Sequence, residues 1–378
     1  MHLEDRPSSC LVIRRGQTSQ WNGAKVSDPK INRLLDAASN RASEAVRVVE
    51  DIVRFIFDDQ ILTKQWKVFR HNLSSVLQTL PVELRIAFRQ MDADVGSSIT
   101  LSSEARRSNV AELLAANAAR LQQSLRSLEE AAKLIDVSAA QEIETLRYRS
   151  YTLSAASQTL EASIQRLQHV KVCALIDGSG SIDQGEQLIE MLLSADVGAI
   201  QLRVKGMGDA ELVTRARMLV EKTRGRKTLS IINDRPDIAV LSGADGVHVG
   251  QDDLSAKDAR QILGPHRLVG VSTHNYEQLN KAVLDGANYV GIGPIFESRT
   301  KQFPSFGGLS LLEQVANQTA LPVFAIGGID LQNIDAVIEV GVTRVAVASA
   351  ITAAADPEAV IATLHQRLDQ AASQAESV

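Results

Sequence analysis

The sequence predicts an α/β protein, a (β/α)8 TIM barrel preceded by an all-α helical domain. Two observations carry the prediction. The last ~200 residues alternate eight short apolar, β-branched runs with helical segments and Gly-containing turns, the grammar of a closed parallel barrel near its lower size limit. The stretch before them has very few glycines, many Ala, Leu, Arg, Glu and Gln, and no strand signal, which is helical composition. A doubly wound open sheet is the alternative for the C-terminal part. Against it stands IDGSGS after the first strand, where a dinucleotide-binding fold carries GxGxxG.

Residues 1–27 mix Pro7, Gly16, Gly23 and scattered charges without periodicity and read as a flexible lead-in. Residues 28–167 form the helical domain. Within it, RASEAVRVVEDIVR (Arg41–Arg54) sets Ala45, Val46, Val48, Val49, Ile52 and Val53 on one arc and Arg41, Glu44, Arg47, Asp51 and Arg54 on the other, an amphipathic helix. Arg120, Gln123, Arg126, Glu130 and Lys133 repeat the charged spacing 79 residues later. The domain therefore reads as an internal duplication, two helical hairpins that bury their apolar arcs against each other. The charged faces read most simply as solvated i,i+3 and i,i+4 pairs. The sharper reading is a polar site between the repeats, where Arg47, Arg54, Lys67, Arg70 and Arg126 meet a phosphate or a pyrimidine ring; no Gly-rich cradle is present, so side chains alone would form it.

Residues 168–378 hold the barrel. Its strand candidates are Val170–Asp177, Ala199–Val204, Leu229–Asp234, Gly246–Gly250, Leu268–Ser272, Tyr289–Pro294, Val323–Gly328 and Arg344–Ala348. The stretch Thr228–Leu254 shows the unit most clearly: TLSIIND and GVHVG are buried-strand runs, and RPDIAVLSGA between them has helical spacing and a Gly stop.

Composition narrows the function. The chain has 378 residues, 44% hydrophobic and 22% charged, enough to bury a full core in two domains. A formal charge of −5 supplies no basic surplus for nucleic acid, and no apolar run reaches the ~18 residues of a membrane span. The apolar stretch Cys10–Ile13 is too short for a secretory signal. Cys10 and Cys173 are the only cysteines, too few for a disulfide framework. A soluble cytoplasmic protein that favours neither nucleic acid nor membrane is the expectation, with homo-oligomerisation left open.

In a barrel the chemistry sits where the strands end. Those ends carry Gln201, Arg203 and Lys205; Asn233 and Asp234; Asp253; Ser272 and His274; Ser298, Thr300 and Lys301; Gly327 and Gly328; Ala348 and Ser349. Asp234 and Asp253 share the mouth and suggest a divalent ion. Arg203 and Lys205, two apart, share a strand face with Gln201 and converge on the barrel interior or mouth, and an interior Arg and Lys need an anion. Together with Lys301 they outnumber the two acids, which argues for a polyanionic substrate over a structural ion-pair network. AIGGID on strand seven and VAVASAI on strand eight suit a phosphate monoester, since glycine allows close backbone approach and helix N–H groups face the oxygens. The mouth thus offers two anion sites, one for a monophosphate and one for a metal-bound diphosphate.

QLRVK, IINDRPD, GVHVGQDDL, GVSTH, GPIFESRTK and AIGGI, in this order on these strands, resemble the thiamine phosphate synthase family over the whole barrel. The resemblance implies coupling of hydroxymethylpyrimidine diphosphate with thiazole phosphate, with Mg²⁺, to give thiamine monophosphate and diphosphate. It also implies that Asp234 and Asp253 hold the metal. Arg203, Lys205, Asn233, Ser272 and Lys301 would bind the diphosphate or pyrimidine, with Arg203, Lys205, Ser272 and Lys301 acting in catalysis. Ser298 and Thr300 would receive the thiazole phosphate with Gly328 and Ser349, beside Gln201 and Ala348 at the same mouth. Where the family usually carries Pro-Thr-x-Thr-Lys, this chain has Glu297-Ser298-Arg299-Thr300-Lys301. The thiazole nitrogen has no proton to lose, so His248 and His274 are expected to position or pack and not to act as a base. NRASEAVRVVEDIVRF and RYRSY (Arg147–Tyr151) resemble an extension fused ahead of some bacterial synthases and associated with the pyrimidine branch. Competing readings are a thiazole tautomerase-like paralogue, which would lack the metal acids, and a non-catalytic thiamine phosphate sensor.

Overall fold

Pro29 starts the first helix because its missing N–H would have no partner in the first turn, and Asp28 caps it by accepting from Lys30 N at 2.8 Å. The computed structural model describes residues 28–80, 106–297 and 308–375. Among the described residues four helices precede the sheet: α1 (Pro29–Phe55), α2 (Gln60–Thr79), α3 (Val110–Ala132) and α4 (Val137–Leu167). The expected apolar arc of α1 is inward, with Ala45, Val46, Val49, Ile52 and Val53 all buried. It packs along α3, while α2 and α4 flank the pair.

The charged faces follow the simpler expectation only in part: Arg47–Glu50 and Arg126–Glu129 are i,i+3 pairs, but their acids are buried. Arg70 is paired with Glu50 at 2.5 Å and Arg126 with Glu129 at 2.7 Å, while Arg54 lies over the Phe55 ring. Three of the five cations of the sharper reading, Arg47, Arg70 and Arg126, are therefore already paired with an acid. The acids themselves are a finding: Glu50 and Glu129, 79 positions apart, are both buried, and each meets an arginine of the following helix. Arg70 reaches Glu50 from α2; Arg147 reaches Glu129 from α4 at 2.6 Å. A buried carboxylate needs such a partner, because stranding it would cost several kcal/mol.

The barrel closes in sequence order with every strand parallel to its neighbours. Its strands are β1 (Val172–Ile176), β2 (Ala199–Leu202), β3 (Leu229–Asn233), β4 (Gly246–Val249), β5 (Leu268–Thr273), β6 (Tyr289–Ile292), β7 (Val323–Ile326) and β8 (Val345–Val347). All eight expected runs are strands. Most stop one or two residues early, so Arg203 and Lys205 lie beyond β2, at the mouth, with Lys205 exposed. The outer ring comprises α5 (Ile182–Ser194), α6 (Asp209–Thr223), α7 (Pro236–Ser242), α8 (Ala256–Leu263), α9 (Tyr276–Leu284), α10 (Gly308–Ala316), α11 (Ile334–Glu339), the short α12 (Ser349–Thr352) and α13 (Pro357–Ala375).

Inside the barrel, Cys173, Ala199, Ile231, Leu268, Tyr289, Phe324 and Ala346 form an apolar plug, sealed from below by Leu167 and Val170. The Tyr289 ring lies across β5 only because position 270 is glycine; a Cβ there would fall 2.1 Å from the ring carbon Cζ. The helical region rests on this lower rim. Asn288, just before β6, donates to Ser163 Oγ of α4 at 2.9 Å. Thr319 and Ala320, just before β7, donate to Asp59 at the head of α2. The opposite rim, where the strands end, is left open by the described residues.

Candidate active site

The open rim encloses a cavity of about 790 Å³. Gln201, Arg203, Lys205, Asn233, Asp234, Asp253, Ser272, Gly328, Ala348 and Ser349 all line it. Ser298, Thr300 and Lys301 lie outside the described residues.

The floor is a polar belt one layer above the plug. On β2 and β3, Gln201 Nε2 donates to Asn233 Oδ1 at 2.6 Å. On β4 and β5, His248 Nε2 and Ser272 Oγ are 2.9 Å apart. His248 is buried, and burial together with the nearby Arg203 charge lowers its pKa to about 4, against a smaller opposing effect of Asp253. The imidazole is therefore neutral at pH 7 and cannot supply a proton there. His274, at the end of β5, is exposed, with Nδ1 2.5 Å from Gly293 O.

The acids sit above the belt. Asp234 follows β3 in the left-handed region, φ 60°, and its N–H donates to His248 O at 2.7 Å. That conformation is one that Asp and Asn tolerate better than most residues. Asp253 lies in the turn after β4 and accepts from Gly250 N at 2.7 Å. Two further acids share the cavity, Asp177 and Asp252. Asp177 accepts from Ser179 N at 2.9 Å, which holds its carboxyl below the usual range. The charge count made from the sequence is thus corrected: among the described lining residues, four aspartates face two cations, Arg203 and Lys205. Asp177 was legible by the rule that found Asp234, since it also ends an apolar run. Gln251, which donates to Ser272 O at 2.5 Å, left no such signal.

These acids also test the fit of a divalent cation. Carboxylate oxygens on a wet, anionic rim suit Mg²⁺, which binds through one or two carboxylates and keeps waters and substrate oxygens as its other ligands. Among the described residues no group of three or more His, Cys, Asp and Glu is arranged as a metal cage.

Gly327 and Gly328 end β7 with φ 100° and 67°. Their first role is packing against the loop after β6. Cβ atoms would fall 2.8 Å from Pro294 Cα and 2.4 Å from Glu297 O. Phe296 N–H donates to Gly327 O at 3.0 Å, and Asn333 Nδ2 to Gly328 O at 2.8 Å. The pair therefore ties the start of the β6 loop to the end of β7.

A closed parallel barrel with a charged cavity at its strand ends defines a barrel enzyme acting on small molecules. The family model described as thiamine monophosphate synthase matches residues 170–351, and that of the ThiD2 family matches residues 33–156. Thiamine-phosphate synthase of Rhodopirellula baltica is 40% identical over 328 residues, covering 84% of this chain and 88% of that protein. The enzyme of the same name from Thermosynechococcus vestitus is 40% identical over 343 residues, 90% of this chain and 96% of that protein. A solved thiamine phosphate pyrophosphorylase from Pyrococcus furiosus aligns with 27% identity and a TM-score of 0.48, over 55% of this chain and 98% of that one. The chain belongs to the thiamine-phosphate synthase family, and it is a transferase of thiamine biosynthesis.

Proposed function

We propose that the barrel mouth couples 4-amino-2-methyl-5-hydroxymethylpyrimidine diphosphate with thiazole phosphate, giving thiamine monophosphate and diphosphate. One observation carries this reading: Arg203, Lys205, Asn233, Asp234, Asp253, Ser272, Gly328 and Ser349, delivered by different strands, line a single cavity. In the reading, Asn233 and Ser272 with Gln201 hold the pyrimidine over the floor. Arg203, Lys205 and Lys301 hold its diphosphate. Ser298, Thr300, Gly328, Ala348 and Ser349 receive the thiazole phosphate.

Asp234 and Asp253 would hold Mg²⁺, which when bound neutralises charge on the diphosphate oxygens. The step itself is dissociative. The bond from the exocyclic carbon to the diphosphate oxygen breaks, both electrons leave with the oxygen, and Arg203 and Lys301 stabilise the charge that develops there. The thiazole nitrogen lone pair then closes the new C–N bond. No proton moves, which accords with the neutral, buried His248.

Residues 28–167 are proposed to be an internally duplicated domain, supported by the matching buried acids Glu50 and Glu129. A cytoplasmic setting is proposed as well. Among the described residues no helix is long and apolar enough to cross a membrane, and the buried Cys173 is a free thiol.

The test is diphosphate release by the full-length chain with each substrate alone and with both, with and without Mg²⁺. Release only with both substrates and the metal, together with thiamine monophosphate, supports the reading. Release from the pyrimidine diphosphate alone at the same rate would overturn it, since the second substrate would then be no part of the reaction. Lys301→Ala is expected to lose the coupling while retaining the melting temperature.

A further inference from the structure

The floor of the cavity holds a buried histidine for which the coupling reaction leaves no proton to carry. His248 is 7% exposed, and its ring centroid lies 5.5 Å from that of Tyr289. Gly291 packs close to the ring; a Cβ there would lie 3.2 Å from His248 Cε1, tighter than an ordinary contact. Nε2 meets Ser272 Oγ at 2.9 Å. Nδ1 is buried and has no hydrogen-bond partner among the described residues. The ring therefore makes one polar side-chain contact, and it is with a hydroxyl that lines the cavity.

A neutral imidazole bears its proton on one nitrogen, and the two choices differ here. With the proton on Nδ1, an N–H is stranded among apolar neighbours and Nε2 takes up the Ser272 proton. With the proton on Nε2, the ring donates to Ser272 Oγ and only a lone pair is left unused. Buried donors without an acceptor are rarer in proteins than under-used acceptors, so the second arrangement is favoured. A serine hydroxyl has one proton and rotates to suit its partners. Once Oγ accepts from His248, that proton has only the cavity to point into.

We propose that His248 is a positioning residue: by donating from Nε2 to Ser272 Oγ it fixes the serine hydroxyl as a donor toward the cavity, where it selects a ring that presents an acceptor nitrogen at that point. The proposal rests on the reading of the cavity as an aminopyrimidine site and assigns which edge of that ring meets Ser272. A ring offering N–H or C–H there leaves the serine proton unmatched and is rejected.

The test uses the full-length chain in two arms. The first is the nitrogen-15 spectrum of His248 in the free wild-type protein, identified by its loss in His248→Gln; a protonated Nε2 and bare Nδ1 are expected. The second is steady-state kinetics. His248→Leu should raise KM for the pyrimidine diphosphate about tenfold, the loss of roughly one hydrogen bond, while KM for thiazole phosphate stays put. His248→Gln, which retains an N–H at similar reach, should recover most of the loss. Combined with Ser272→Ala, His248→Leu should cost nothing more. A proton found on Nδ1, a Gln variant as poor as Leu, or an additive double variant each overturns the proposal. If the wild-type chain couples no substrates, the functional reading fails, and the spectrum still decides the tautomer.

Discussion

Asp59 accepts the Thr319 hydroxyl at 2.5 Å and the Ala320 N–H at 3.1 Å, although 260 positions separate Asp59 from that threonine. Its other oxygen caps α2 by accepting Leu62 N–H at 2.7 Å. One buried carboxylate thus fastens the helical region to the loop that leads into β7. Asp59→Ala strands all three donors and should destabilise the chain by about 2 kcal/mol in urea unfolding at pH 7. Burial raises the Asp59 pKa, against the lowering effect of its hydrogen bonds. For an acid raised in the folded state, stability falls as pH climbs from the unfolded carboxyl value through the folded one. Subtracting the pH-stability curve of Asp59→Asn should reveal that falling step. A flat difference would mean that the folded carboxyl is unperturbed.

The same junction governs what the barrel can do alone. A chain starting at residue 168 lacks Leu167, which seals the plug, and Ser163, the partner of Asn288. Every described cavity residue is retained. Such a fragment should melt below the full-length protein and bind an apolar dye, yet still release diphosphate at low temperature. Equal melting temperatures would show that the lower rim needs no cover.

Gly328 combines φ 67° with a Cβ position 2.4 Å from the Glu297 carbonyl oxygen. Backbone strain and collision act together, so Gly328→Ala should cost about 2 kcal/mol. It should also displace the β6 loop and so raise KM for both phosphorylated substrates. Thermal melts and kinetics check this; an Ala variant with wild-type values would remove the packing role assigned to the glycine pair.

The barrel was legible because a parallel strand buried on both faces writes itself as a continuous apolar run. The same runs overshoot at Val204, Pro294 and Gly328, where apolar or Gly residues continue past the last ladder bond. Asp234 and Asp253 were found from position alone, and Asp177 obeys the same rule. Glu50 and Glu129 were not, because a glutamate beside an apolar arc looks solvated until an arginine on another helix is known to reach it. The Asp59–Thr319 tie left no local trace. Nor did the unpartnered Nδ1 of His248, since both depend on which distant elements meet.

Asp234 offers the sharpest separation of chemistry from folding. Its left-handed φ of 60° is open to asparagine but strains alanine. Asp234→Asn therefore removes the charge while preserving the turn, and its melting temperature should match the wild type. Diphosphate release should fall about 10²- to 10³-fold, by analogy with the loss of one preorganised stabilising group, and the Mg²⁺ concentration giving half-maximal rate should rise. Asp253→Asn should shift the metal dependence likewise, with an amide oxygen still able to accept the Gly250 N–H that Asp253 holds at 2.7 Å. An Asp234→Asn enzyme with the wild-type response to Mg²⁺ would show that this carboxylate is no metal ligand and that its position at the mouth serves the turn alone.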